Sequence, residues 1–148
     1  MTGRYLEDYA VGQKFGSRRI RIDAQQIKAF ATKFDPQPFH LDERSAAETF
    51  FHGLAASGWH TAAITMRLLV EGELNPADGI IGVGFDELRW PRPVRPGDEL
   101  RIESDILEVR LSKSRADSAP QRSTRIMKSC KFKLATYSCL AEAAPLDS

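Results

Sequence analysis

The chain has 148 residues, 42% of them apolar, which is enough for one domain with a substantial core and too few for two. Its 21 basic and 20 acidic residues leave a net charge of +1 with no long block of either sign, excluding the footprint of a nucleic-acid binder or a polybasic membrane patch. No run approaches the ~20 apolar residues that span a bilayer, and Met1 to Gly12 carries charges and no apolar signal core, so a soluble cytoplasmic protein is expected.

The opening from Tyr5 to Gly16 is a short mixed run with glycines at Gly12 and Gly16, and Arg19-Ile20-Arg21-Ile22 then alternates as a half-buried strand does. Asp23 is a good N-cap, and Ile27, Phe30, Ala31 and Phe34 share one helical face, which predicts a first helix from about Ala24 to Lys33. Phe34-Asp35-Pro36-Gln37-Pro38-Phe39-His40-Leu41-Asp42 follows. Its two prolines fix their own φ and push the residue before each of them out of the helical region, so a non-helical turn is expected. Asp42 can cap a short helical piece, Glu43 to Thr49, that leads through Phe50, Phe51 and His52 to Gly53.

From Ser57 the sequence Ser57-Gly58-Trp59-His60-Thr61 opens into Ala62, Ala63, Ile64, Met66, Leu68, Leu69 and Val70. A helix apolar nearly all round belongs in the middle of a fold, with Trp59 and Met66 packing in the core or a pocket wall. It should end near Gly72, which can supply a left-handed cap. The rest reads as β: Ile80 to Trp90, a stiff reversal from Pro91 to Asp98, and Glu99 to Leu111. Ser112 to Ser123 is polar and loops out, and Ile126 to Ala143 supplies the last two strands. Cys130 and Cys139 are expected there as small, partly buried thiols rather than a disulfide. One buried helix followed by several long strands implies a single α+β domain over residues 1–148, an antiparallel sheet wrapped around a central helix.

Chemistry concentrates in the proline turn. Asp35 and His40 lie five positions apart on a stiff loop, and all three histidines, His40, His52 and His60, fall between positions 40 and 60. An acid and an imidazole held by such a loop can converge on one water molecule without the orientational loss of a free-swinging pair. The bland alternatives are that Asp35 terminates the first helix or bonds a backbone N–H, and that His40 is a satisfied loop histidine. His60 sits in the first turn of the buried helix and either lines a pocket or packs as a structural imidazole; His52 reads as a loop residue. Spacings of 12 and 8 between successive histidines match no compact ligand pattern, so no metal site is expected. Arg89, Arg92 and Arg95 could meet coenzyme phosphates or simply decorate a solvated turn. Neither a Gly-rich phosphate loop nor a serine nucleophile elbow occurs.

The run Asp35-Pro36-Gln37-Pro38-Phe39-His40 resembles the hydratase motif of the MaoC-like dehydratase family, which includes the (R)-specific enoyl-CoA hydratases and has the hotdog fold; Gln37 stands where the motif has Asn. Glu7-Asp8, Val11-Gly12 and Phe15 are similar to the family's opening. Ser57-Gly58-Trp59 occupies the place of its His-Gly-Met triplet, and Pro93-Val94 with Pro96-Gly97-Asp98 resembles the run after its long strand. The resemblance covers roughly residues 5 to 110. It implies hydration of a 2-enoyl thioester, or the reverse dehydration, by a hydro-lyase of fatty acid metabolism. Asp35 and His40 would activate the water, and the Gly58 N–H at the positive end of the central helix would form an oxyanion hole. Ser57 would contact substrate or only cap the helix, and Trp59 and His60 would line the substrate site.

No separate cofactor is implied, since CoA or an acyl-carrier protein arrives as part of the acyl-CoA or acyl-carrier thioester. The liability of an exposed sheet edge and the resemblance together lead to the expectation of a homodimer or higher oligomer of dimers, with neither nucleic acid nor membrane as partner. Two rivals remain open from the residues: a hotdog acyl-CoA thioesterase, and a non-catalytic acyl-thioester binding module.

Overall fold

The computed structural model describes residues 3–77, 79, 80, 85, 87–109 and 129–137. A 3-10 turn at Leu6–Asp8 precedes two short strands, β1 (Lys14–Gly16) and β2 (Ile20–Arg21). Both lie antiparallel along one edge of a long strand, β3 (Glu99–Glu108), with Phe15 opposite Ser104 and Ile20 opposite Leu100. The other edge of β3 pairs antiparallel with β4 (Ser129–Tyr137), Ile102 facing Leu134, and the register shifts between Ile106 and Glu108. Along β3, Leu100, Ile102, Ser104 and Ile106 are buried while their neighbours are not, the two-residue period of a strand with one covered face.

Helix α1 spans Ala24–Phe34 and starts on a reciprocal capping box: Gln26 N–H donates to Asp23 Oδ1 at 2.7 Å, and Asp23 N–H donates to Gln26 Oε1 at 3.2 Å. Ile27 and Ala31 are fully buried on its inner face. The expected non-helical turn is instead interrupted by a four-residue helix, α2 (Pro38–Leu41), because Pro38 falls at its first position, where a missing N–H costs nothing. Asp42 caps the next short helix as expected, accepting from Ser45 N–H at 2.7 Å, but α3 (Glu43–Ala47) stops before Thr49.

Helix α4 (Gly58–Val70) lies against β3 and buries Leu68 and Leu69 in the same core as Ile22, Ile27 and Leu100. It is not enclosed all round. Trp59 is 59% exposed, and Met66 and Val70 are also open to solvent, so of the two places expected for Trp59 and Met66, core or pocket wall, neither takes the core. Its end is also reached differently: the cap residue is Glu71 with right-handed backbone, and Gly72 serves close packing, since a Cβ there would stand 2.7 Å from Leu68 O.

The Pro/Gly reversal is present, with Gly97 at φ 92° closing it through Gly97 N–H to Ile22 O at 2.7 Å. No strand forms at Ile80, Phe85 or Glu87–Trp90, against the strand expected over 80–90, whose other residues lie outside the described ones. The strand expected to reach Leu111 ends at Glu108. Of the closing pair expected over 126–143, the described part is the single strand β4; the loop over 112–123, the hairpin and the Cys139 thiol lie outside the described residues.

Candidate active site

Asp35 is the C-cap of α1, where its backbone N–H donates to Ala31 O at 2.9 Å, so the helix-ending role is real. The carboxylate does more than that. Oδ2 accepts from the Ser57 hydroxyl at 2.6 Å and Oδ1 accepts from the Gln37 amide at 2.6 Å. Those two hydrogen bonds, Ser57 first, hold the Asp35 carboxyl below its ordinary range against a smaller opposing effect of burial, and His40 adds a weaker attraction in the same direction. Asp35 is therefore an anion at neutral pH.

His40 lies in α2 and is buried. Its Nδ1 sits 2.7 Å from Ala55 O. A carbonyl oxygen only accepts, so Nδ1 carries the proton in that bond, and in the neutral ring Nε2 is left with its lone pair. Nε2 stands 3.4 Å from Asp35 Oδ2. Two acceptors at that separation have no proton of their own to share. They suit a water molecule donating to both, or an ion pair once the ring is protonated. Phe39 and Phe51 pack edge-on or tilted around the imidazole, with ring centroids 4.5 and 6.2 Å away, and fix its plane.

Ser57 is fully buried and plays two parts at once. Its Oγ accepts from Trp59 N–H at 3.2 Å, which makes it the N-cap of α4 as expected, while its proton goes to Asp35. Gly58 is the first residue of α4, so its N–H has no acceptor within the helix and sits where the helix dipole is positive. The space beside its α-carbon is not empty: a Cβ on Gly58 would come within 2.6 Å of the Trp90 ring, and Trp90 Nε1–H donates to Gly58 O at 3.0 Å. The absent side chain at Gly58 is what lets the Trp90 ring pack there.

His60 is buried and stacks on Phe30, centroids 4.7 Å apart and planes 11° from parallel. Burial pushes its imidazole pKa below the ordinary 6.5, and its buried Nδ1 has no partner among the described residues. Trp59 lines an open apolar depression between α1 and α4 with Phe30, Phe34, Ala62 and Ala63. His52 is an exposed loop residue in left-handed backbone at φ 50°. Arg95 donates to Phe51 O at 2.6 Å and Arg89 pairs with Glu87, so both are engaged within the chain. Among the described residues no group of three or more His, Cys, Asp or Glu side chains could hold a metal ion.

The structure thus brings Asp35, His40, Ser57 and Gly58 into one network; Trp59 lines the apolar depression, whereas His60 packs against Phe30 and is not among the residues that line it. Sequence reading missed that Gln37 and Ser57 both bind Asp35 and that Trp90 reaches Gly58. Gln37 could have been found, being two residues from Asp35 with an amide to donate. Nothing local announces a bond from position 57 to 35, or from 90 to 58.

An antiparallel sheet against one long helix, with an acid and an imidazole beside that helix's first turn, defines a hotdog-fold protein of the α+β class. The family described as MaoC like domain matches residues 8–124, and the chain belongs to that family. It is similar to the MaoC-like dehydratase from Rhodospirillum rubrum, at 53% identity and TM-score 0.77 over 90% of this chain and 86% of that one. It is similar also to the (R)-hydratase from A. caviae involved in PHA biosynthesis, at 32% identity and TM-score 0.59 over 73% of this chain and 78% of that one. Among curated relatives, 3-hydroxyacyl-thioester dehydratase Z of Mycobacterium tuberculosis (strain CDC 1551 / Oshkosh) is 30% identical over 105 residues, 68% of each chain. No helix among the described residues is long and apolar enough to cross a membrane.

Proposed function

We propose that this chain is a hydro-lyase that adds water across the double bond of a 2-enoyl thioester, or removes it from the 3-hydroxy thioester, using Asp35 and His40 as one unit. The observation that carries this reading is the facing of His40 Nε2 and Asp35 Oδ2 at 3.4 Å, with Nδ1 tied down on Ala55 O. A water bridging the two from one side donates one hydrogen to each. As its oxygen bonds to C3 of the enoyl group, one proton passes to the pair, and the electrons of the double bond move onto the thioester oxygen as an enolate. The Gly58 N–H, reinforced by the first turn of α4, is the donor for that oxygen. The pair then returns the proton to C2, which restores the thioester and balances the step. Because the two groups are coupled, neither is labelled acid or base alone.

The substrate enters as a CoA or acyl-carrier thioester, and no further cofactor is needed for proton transfer and enolate stabilisation. Support for this substrate class comes from the dehydratase and (R)-hydratase relatives. A cytoplasmic homodimer is part of the proposal; the uncovered face of α4, with Trp59, Met66 and Val70, is the kind of surface a second copy would bury.

The test is hydration of crotonyl-CoA, followed by loss of its conjugated absorbance. Turnover is expected in the native chain, with losses of at least about a hundredfold in Asp35→Asn and in His40→Ala while both stay folded. Free thiol release without loss of the alkene would make the protein a thioesterase, and binding without either change would make it a binding module. Full activity in either variant refutes the pair.

A further inference from the structure

The network at the start of α4 extends beyond the residues that would touch substrate. Trp90 donates Nε1–H to Gly58 O at 3.0 Å, and its ring lies where a side chain on Gly58 would be. It also meets Trp59 edge-on, centroids 5.9 Å apart at 72°. Gly58 O and Trp59 N–H are the two ends of one peptide plane, and the far end donates to Ser57 Oγ at 3.2 Å, which in turn donates to Asp35 Oδ2 at 2.6 Å. Trp90 is thus joined to the acid of the site through one peptide group and one hydroxyl. Each donor in such a chain polarises the next.

The tether that holds the indole is stiff. Pro91 and Pro93 restrict the backbone between Trp90 and Val94. Val94 is buried and its carbonyl accepts from Ala56 N–H at 2.8 Å, while Arg95 donates to Phe51 O at 2.6 Å. The segment after Trp90 is therefore fastened to the residues that lead into α4. Trp90 itself is 46% exposed. An indole kept partly in water yet hydrogen-bonded to the first carbonyl of a helix contributes little to the core and much to the placement of that helix's first turn.

We propose that Trp90 is a positioning residue for the thioester: it locks the Gly58–Trp59 peptide and walls one side of the Gly58 N–H, so that the enolate oxygen meets this donor from a single direction. The inference rests on the hydratase reading and on Gly58 as donor, and it assigns to Trp90 no contact with the reacting atoms. The two tryptophans of the chain, Trp59 and Trp90, then both report on the same site, so fluorescence in a Trp90 variant comes from Trp59 alone.

Two variants of the full chain separate the ring from its N–H: Trp90→Phe keeps an aromatic wall and removes the donor, and Trp90→Ala removes both. Crotonyl-CoA hydration gives kcat and KM, each rate being scaled to the folded fraction from circular dichroism. Butyryl-CoA, which has no double bond to hydrate, gives binding through quenching of Trp59 fluorescence. For Trp90→Phe the expectation is a fall in kcat of about tenfold, less than loss of an oxyanion donor itself, with KM and butyryl-CoA affinity within about twofold. For Trp90→Ala the expectation is a larger fall in kcat together with a raised KM. Native turnover with an unchanged kcat in Trp90→Phe overturns the positioning role and leaves the hydratase reading standing. Loss of kcat that vanishes after scaling to folded protein also overturns it, because the tryptophan is then only structural. A native chain that binds butyryl-CoA but leaves crotonyl-CoA intact overturns the hydratase reading and this inference together.

Discussion

Replacing Ser57 tests the site at its most connected atom. Oγ donates to Asp35 Oδ2 at 2.6 Å and accepts from Trp59 N–H at 3.2 Å, so Ser57→Ala removes a hydrogen bond to a charged group and an N-cap together. A hydrogen bond to a charged group is worth about 1.5–3 kcal/mol, and the low end applies because the Asp35 side chain keeps 18% of its exposure and water can reach it. The cap adds about 1 kcal/mol for Ala but only a few tenths for Gly. Ser57→Gly therefore isolates the Asp35 bond, and should cost about 1.5–2 kcal/mol against about 2.5 for Ser57→Ala in urea unfolding. Both should lower kcat on crotonyl-CoA by about a hundredfold, the scale of a carboxylate misplaced by about 1 Å.

The pH dependence gives a signature that packing loss cannot mimic. The Ser57 bond is the largest cause of the depressed Asp35 pKa, whose ordinary value is 3.8. A carboxyl whose folded pKa is lowered stabilises the fold fully above its unfolded value and ceases to do so as pH falls through the folded value. The stability gap between the native chain and Ser57→Gly should accordingly be widest near neutrality and close on acidification below about pH 4. The acid limb of kcat/KM should move to higher pH in both variants. A gap that is flat with pH, or a Ser57→Gly enzyme at full rate, refutes the assignment of Ser57 as the group that orients and ionises Asp35.

Gly58→Ala should expel the Trp90 indole, since the new Cβ would lie 2.6 Å from its ring; loss of the near-ultraviolet signal of the Trp59–Trp90 pair and a kcat reduced by at least about tenfold are expected, and an unperturbed spectrum would contradict the packing. His60 is held neutral by burial, so below its ordinary pKa of 6.5 the unfolded chain takes up a proton that the folded chain resists, and stability falls with pH. His60→Leu should flatten that fall below about pH 6.5 in thermal melts, and an unchanged slope would show that His60 protonates freely in the fold. Gln37→Ala removes the second donor to Asp35, at 2.6 Å, and should raise the acid limb of kcat/KM by less than the Ser57 variants do, because the Ser57 bond has the larger effect on Asp35.

How far the sequence could be read depended on whether a signal was local. The first helix, expected from about Ala24 to Lys33 and found at Ala24–Phe34, was legible because its Asp23 cap and its apolar face are written within a dozen residues; the Gln26 half of its capping box was not read. The proximity of Asp35 and His40 was legible from a short proline-rich spacing, although that same spacing misled as to conformation, since a proline at the first position starts a helix as readily as it prevents one. The apolar run of α4 was legible as a helix and misleading as to burial. Hydrophobicity all round reports that a helix will be covered, but not by which chain, and Trp59 and Met66 are uncovered within this one. The run over 80–90 reads as β, yet a strand needs an edge to pair with, and at the described positions of that run no ladder forms.

What could not be read is what makes the site rigid. Leu54, Ala55, Ala56 and Ser57 are all buried, and they carry no residue type that marks a functional loop apart from the serine. Their backbone nevertheless joins every other piece. Ala55 N–H donates to Phe39 O at 3.2 Å and Ala55 O accepts from His40 Nδ1 at 2.7 Å, so one alanine sets both the position and the tautomer of the imidazole. Ala56 N–H donates to Val94 O at 2.8 Å, which brings the Trp90 segment alongside, and Ser57 closes onto Asp35. Small side chains are what allow this, because the α1–α2 turn and the 90–95 segment both press on the same stretch of main chain. A larger residue at Ala55, which has no exposed surface, would part His40 from its carbonyl and free the ring to exchange tautomers, removing the lone pair that faces Asp35 without touching either of the two side chains.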